Sequence, residues 1–348
     1  MNKKFFTILL LLFVCLGLWA NEKESTPKVD VKSIIFDHIS DAYEWHITTI
    51  GEKHITIPLP IIVYGETNGF KVFMSSQLHH YDSYCGYQYG AKEGKYAGKI
   101  VELNARGEEV RPWDFSLTKN AVAIIINCIL LAVIILWVAS WYKKKPMEAP
   151  KGFRGALEML IMSIQDDLIK PCIGKDYKKY SPYLLTAFFF IFFNNLMGLI
   201  PLFPGGANTT GNIAVTLVLA LFTFFAVNIF GTKEYWKEIL WPDVPIWMKA
   251  IPLMPIIELF GIFTKPFALM IRLFANIMAG HSIVLGLTCL VFITASMGAA
   301  VCAGMTFVSV FFTIFMDCLE LLVAYIQAYV FTMLSSVFIG LSKVEHHS

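Results

Sequence analysis

The sequence predicts an all-α integral membrane protein of about five membrane helices, two of them long and strongly tilted, preceded by an N-terminal hydrophilic extension with scope for β structure. Three observations predict this. Of the 348 residues, 56% are hydrophobic and 16% are Asp, Glu, Lys or Arg, against roughly 25% charged in soluble domains. Uncharged runs recur that are long enough to cross a hydrocarbon layer about 30 Å thick. Two apolar stretches near the C-terminus, residues 253–292 and 296–342, are each about twice that requirement at a helical rise of about 1.5 Å.

The same composition excludes other classes. A net charge of +2 and the lack of a basic tract interleaved with aromatics leave no case for nucleic acid. The seven cysteines, at 15, 85, 128, 172, 289, 302 and 318, form no CxxC pair, so zinc and dithiol redox motifs have no support. Cys85 is alone in the extension and has no partner there for an internal disulfide.

Residues 1–20 read as a signal peptide. Lys3 and Lys4 precede an apolar run over 5–18, and Ala20 offers a small residue before Asn21. Leu18 stands where cleavage prefers a small residue, and a retained short anchor is the alternative. Residues 21–116 form an extracytoplasmic extension. Residues 55–64 and 70–74 read as strands, with Gly65 and Gly69 as turn residues. The segment is either a small β-containing unit or one that orders only against a partner. His79 and His80 lack further ligands at metal-site spacing and read as a solvated pair. No metal or cofactor site is expected.

The membrane domain is assigned to 117–342. Its first span, 120–142, carries no Asp, Glu, Lys or Arg, and Lys143, Lys144 and Lys145 follow at once. The positive-inside rule puts that end in the cytoplasm and the extension in the periplasm. Within the basic segment 151–180, the residues Leu157, Leu160, Ile161, Ile164 and Leu168 recur at helical spacing. They predict an interfacial helix, with a solvated connector as the alternative. The turn-rich stretch 201–212 then divides two further spans, 182–200 and 212–231, and Lys233 and Lys237 fall inside. No charged loop marks a return within either long apolar stretch, which favours steep tilt over folding back. Residues 343–348 form a cytoplasmic tail.

Charge inside a membrane costs about 2.5–3.5 kcal/mol at a helix centre and marks pairing or function. Glu258, Lys265 and Arg272 are spaced seven and seven, a single face on one helix, and Asn276 joins it four residues beyond Arg272. Pro266 weakens that continuity, or opens the helix carrying Arg272. His281, nine beyond Arg272, falls on the opposite face. In the last stretch Asp317, Glu320 and Gln327 share a face. Glu320 is the natural partner of His281 if the two helices pack side by side, since such a pair is suited to proton relay. Arg272 has two plainer readings, a structural ion pair with Glu258 or Asp317 and snorkelling to an interface. Apolar residues extending beyond a turn on both sides argue against snorkelling. Gly280 reads as a close-packing position.

The run over 265–281, KPFALMIRLFANIMAGH, resembles the signature of subunit a of F-type ATP synthases, and Asn194-Asn195-Leu196-Met197-Gly198-Leu199-Ile200-Pro201 resembles an earlier span of that family. Gln327, with Glu320 seven before it, resembles its final helix. The resemblance covers about 117–342, departing where Ala275 replaces a commoner glycine and in the long extension. It implies a proton-translocating stator subunit, not itself an enzyme, that provides two aqueous half-channels. Arg272 would face the carboxylate of a rotating c-ring, with Asn276 and Gln327 lining the same surface. His281 and Glu320 would be the exchanged pair used by many members, on the outward side, with Glu258 and Asp317 secondary. Partners would be the c-ring, peripheral stalk subunit b and the rest of the F1F0 complex, in a bacterial inner membrane.

The chemistry is direct. Opposite charges about 4 Å apart at an effective dielectric near 20 interact by about 4 kcal/mol, which favours release of a proton from an acid passing Arg272. The fixed charge also blocks leakage between the half-channels. One rival is a secondary ion-coupled transporter, but no second copy of the Arg272 region exists. An intramembrane protease lacks HExxH and GxSxG motifs here.

Overall fold

The computed structural model describes residues 41–50, 53–80, 83–91, 94–104, 106–144, 148–200, 205–240, 253–294 and 299–343. The expected signal peptide, the start of the extension at 21–40, Lys145 and the tail after 343 lie outside the described residues, as do the side chains of His79 and His80. The chain divides into two compact units, one of Ser40–Ile277 with Val323–Ser348, the other containing Met278–Leu322.

The extension is a β domain. Strands β1 (Glu44–Ile50) and β2 (Lys53–Pro58) form an antiparallel hairpin. A second sheet has the order β4-β3-β8, from β3 (Pro60–Gly65), β4 (Gly69–Met74) and β8 (Trp113–Asp114). A third contains β5 (Tyr87–Tyr89), β6 (Ile100–Leu103) and β7 (Glu109–Val110), and a short helix α1 (Ser76–His80) follows β4. The expected strand at 55–64 is divided in two. Pro58 and Pro60 flank Leu59 and bring no N–H to a ladder, and Leu59 N donates instead to Ser75 Oγ at 3.1 Å. The turn between Gly65 and Gly69 stands where the glycines predict it. Inward residues Ile61, Val63 and Phe73 pack with Tyr43, Leu78, Tyr87 and Ile100.

A buried acid fastens that turn. Glu102 is 2% exposed. Its carboxylate accepts from the backbone N–H groups of Glu66 at 2.9 Å, Thr67 at 3.5 Å and Asn68 at 3.2 Å, and from Asn68 Nδ2 at 3.3 Å. Converging amides compensate a buried charge that would otherwise be prohibitive. A Cβ at Gly65 would stand 2.1 Å from Glu102 Oε2, so the position has room only for glycine.

The β domain is joined to the first membrane helix, α2 (Lys119–Lys144), by packing and by hydrogen bonds. Trp45 of β1 is buried in a cluster with Ala123 of α2 and Ala207, and Ile57 of β2 and Val122 and Ile126 of α2 pack against that cluster. Lys119 N donates to Ala42 O at 2.9 Å, and Asn120 N to Asp41 Oδ1 at 3.1 Å, which occupies an orphan amide at the helix start.

Beyond α2, helix α3 (Phe153–Ser163) continues through a π-helical turn (Ile164–Ile169), α4 (Lys170–Ile173) and a 3-10 turn (Gly174–Asp176) into α5 (Tyr177–Leu199). The predicted apolar stripe is the packing face, with Ile164 and Leu168 in the core and Leu157, Leu160 and Ile161 against it. Then come α6 (Ile213–Ile229), the short α7 (Lys233–Leu240), α8 (Leu253–Thr294) and α9 (Ala299–Leu341). Among the described residues, 4 helices are long and apolar enough to cross a membrane, and the 17-residue α6 is a shorter apolar helix. Helices α8 and α9 run unbroken for 42 and 43 residues, about 63 Å each, so in a hydrocarbon layer of about 30 Å each lies strongly tilted. Pro266 does not interrupt α8. It removes one bond, to the Ile262 carbonyl, a loss that packed membrane helices tolerate.

Replacing Glu102 with alanine is expected to destabilise the β domain by roughly 2–3 kcal/mol, because several donors lose one charged acceptor together. Hydrogen exchange at the amides of 66–68 should accelerate sharply, while exchange in α5 stays unchanged.

Candidate functional site

Helix α8 presents two unlike faces within the larger unit. Leu269, Met270 and Leu273 are buried with Leu184, Phe188 and Ile191 of α5 and Ala328, Phe331 and Ile339 of α9. Arg272 and Asn276, one turn apart, are exposed on the other side, flanked by exposed Ala268 and Ala275. A guanidinium thus stands on a membrane helix with its back to the packed core and small side chains around it. The other members of the predicted face differ among themselves. Glu258 is exposed, and its charge, second to burial, pushes the Tyr235 phenol of α7 above its ordinary range. Lys265 is half-buried, with Nζ 5.6 Å from the Phe338 ring centroid. Gln327 is 3% exposed and sits on the packed side of α9 next to Ala328, whereas Asn276 is exposed.

In the smaller unit, α8 and α9 lie side by side. A Cβ at Gly280 would meet Glu320 Oε1 at 2.3 Å, so the absent side chain is what admits the carboxylate. Glu320 Oε1 is buried, and among the described residues none donates a hydrogen bond to it. His281, adjacent to that contact in sequence, is half-buried, and Asp317, one turn before Glu320, is exposed. Ser309 Oγ donates to Leu287 O at 2.8 Å and ties the same two helices together. Among the described residues no group of three or more His, Cys, Asp or Glu could hold a metal ion.

Two buried polar clusters escape a reading based on charge alone. Asn127 Nδ2 of α2 donates to Asn194 Oδ1 of α5 at 3.0 Å, and Thr209 Oγ1 donates to the same oxygen at 3.1 Å. Thr210 Oγ1 donates to Asn195 Oδ1. Deeper in the bundle, Tyr183 Oη, Thr223 Oγ1 and Ser335 Oγ link α5, α6 and α9 at 3.0 and 3.1 Å. The signal available in the sequence is an amide within an apolar run, as at Asn127 and at the Asn194-Asn195 pair.

Residues 122–340 match the family described as ATP synthase A chain, and residues 34–115 match a family described as a domain of unknown function (DUF8433). The chain is 46% identical over 250 residues to ATP synthase subunit a 2 of Chlorobaculum tepidum, covering 69% of this chain and 67% of that protein. It is 43% identical over 263 residues to ATP synthase subunit a of Chlorobium phaeobacteroides, covering 72% and 73%. It is 39% identical over 264 residues to ATP synthase subunit a of an Anaeromyxobacter species, covering 72% and 60%.

Asn194→Leu is expected to cost about 2–4 kcal/mol, since it strands the buried donors of Asn127 and Thr209. A lowered thermal unfolding midpoint of the purified protein would show it. The exposed Thr288→Val substitution, which removes only a hydroxyl bonded to its own helix at Val284 O, should leave the midpoint nearly unchanged.

Proposed function

The chain belongs to the ATP synthase A chain family, and from that premise we propose that Arg272 is the fixed positive charge past which the carboxylates of a rotating c-ring are carried. As a member of that family the chain is a proton-translocating stator subunit of the F0 sector, a channel component of the complex and not its catalytic part. The secondary-transporter alternative is not favoured.

One observation carries the assignment of Arg272. The residue is exposed on α8 while its neighbours Leu269, Met270 and Leu273 are committed to the core. A cation directed away from the protein interior in an apolar helix is costly unless another surface supplies an anion. A ring carboxylate is such an anion. The exposed alanines at 268 and 275 let another helix approach closely. A proton leaves the acid as it nears Arg272, because the attraction favours the ionised form. The ionised acid then passes on to reload from the second half-channel.

His281 and Glu320 are assigned to the outward half-channel, supported by the Gly280–Glu320 contact beside His281. Asn276, Gln327, Glu258 and Asp317 are assigned supporting positions along the proton pathway. The extension, residues 21–116, is placed in the periplasm and the C-terminus in the cytoplasm of a bacterial inner membrane. The lysines that close α2, Lys143 and Lys144, and Lys233 and Lys237 in α7 support this orientation. Contact with the stalk subunit b belongs to the same assembly.

Arg272→Ala should abolish ATP synthesis driven by a proton gradient in membrane vesicles while the subunit still co-purifies with the complex. Normal coupled synthesis in that variant would overturn the assignment. Gly280→Ala should lower coupled synthesis several-fold, because its Cβ displaces the Glu320 carboxylate. Gly286→Ala, where a Cβ would meet nothing within 4 Å, is the matched control and should be near normal.

A further inference from the structure

The outward face of the β4-β3-β8 sheet is an apolar surface that the proton pathway does not use. Strand alternation puts Ile61, Val63 and Phe73 inward, against the core of the β domain. The opposite face carries Tyr64, Phe70, Val72 and Met74, with Trp113 directly opposite Tyr64 in the ladder. Phe115 continues the same face beyond β8, its N–H donating to Ile62 O at 2.9 Å. Trp113 is 70% exposed and Phe70 62%, values that make this a continuous open patch and not scattered edges of core residues. Among the described residues of β3, β4 and β8 no charged side chain stands on this face, and Lys71 points to the other side of β4. A patch of this kind on a folded domain marks a surface that is covered in use.

We propose that this face lies on the phospholipid bilayer beside α2, its aromatic rings seated at the boundary between headgroups and acyl chains. The position of the sheet supports lipid over protein as the occupant. Strand β3 begins at Pro60, three residues after Ile57, and Ile57 packs on the cluster that Trp45 forms with Ala123 of α2. That end of the sheet is therefore level with a helix that crosses the membrane. Phe115 precedes the first residue of α2, Lys119, by four positions, a reach of at most about 14 Å in extended chain. Leu117 N donates to Pro60 O at 3.2 Å, so this connection is held against the sheet and does not lead away from it. The residue types agree, because Trp and Tyr concentrate at membrane–water interfaces, where an apolar ring and a polar edge are both satisfied. The surface would add a second membrane attachment to the extension, independent of the ion-translocation reading and of which side of the membrane the extension occupies.

The test places a photoreactive benzoylphenylalanine at Phe70, at Trp113 or, as control, at Lys71, in the full complex reconstituted into vesicles containing radiolabelled phospholipid. After irradiation, labelled lipid should be attached to this chain for positions 70 and 113, at least several-fold above position 71. Crosslinks from 70 and 113 to a protein subunit would overturn the proposal. So would equal lipid labelling at 71, or no lipid adduct at either test position.

Discussion

Hydrocarbon offers no hydrogen bonds, and that constraint organises the membrane part of this chain. Several hydroxyls on the long helices return to their own backbone, as Ser282 does to Met278 O at 2.7 Å, Thr306 to Cys302 O at 2.7 Å and Ser336 to Thr332 O at 2.7 Å, while Ser309 and Ser335 bond to a neighbouring helix. The amides of Asn127 and Asn194 meet across helices. Arg272 follows neither pattern. A guanidinium has five donors and cannot be neutralised by losing its proton. It is exposed on the side of α8 opposite the packed Leu269 and Leu273. The same reasoning distinguishes it from Lys265, which is half-buried and lies over the Phe338 ring.

Small residues decide where carboxylates can go. At Gly65 and at Gly280 an absent Cβ leaves space that a glutamate oxygen fills, Glu102 in the β domain and Glu320 in the membrane helices. The two acids then diverge. Glu102 is surrounded by backbone donors that fasten it to the 66–68 turn. Glu320 has a buried oxygen that receives no hydrogen bond from the described residues. Converging amides make the first carboxylate part of the fold, whereas the second keeps hydrogen-bonding capacity that the described residues leave unused. The contrast supports assigning transport chemistry to Glu320 and none to Glu102.

Much of this was legible before any coordinates, for physical reasons that can be named. Uncharged runs mark membrane helices because length and polarity are properties of the chain itself. Arg272 stood out because charge in an apolar run is costly wherever the helix sits. The break between β2 and β3 is equally local, written in Pro58 and Pro60, although the alternation of the run 55–64 continues across it. Other features depend on partners distant in sequence. Asn127 and Asn194 are 67 residues apart, and nothing near either names the other. Glu102 looks like a solvated acid until the 66–68 turn is folded over it. Gln327 shares a helix face with Glu320 by spacing, yet Glu320 is half-buried and Gln327 is packed, because burial is set by the neighbouring helices and not by periodicity.

The extension is more than a tethered leader. A flexible tether would meet α2 at one covalent point and leave its own backbone groups to water. Here the first amides of α2 are taken by Ala42 O and Asp41 Oδ1, and Trp45 is buried on Ala123 one turn before Asn127. Asn127 in turn holds Asn194 of α5, whose inner residues Leu184, Phe188 and Ile191 pack in the same core as Leu269 and Leu273 on either side of Arg272. Packed interiors yield little to small displacements. A β domain fixed at the end of α2 therefore constrains the helix that the core of the membrane domain is built against. That static bracing gives the extension a physical role even where it contributes no group to proton transfer.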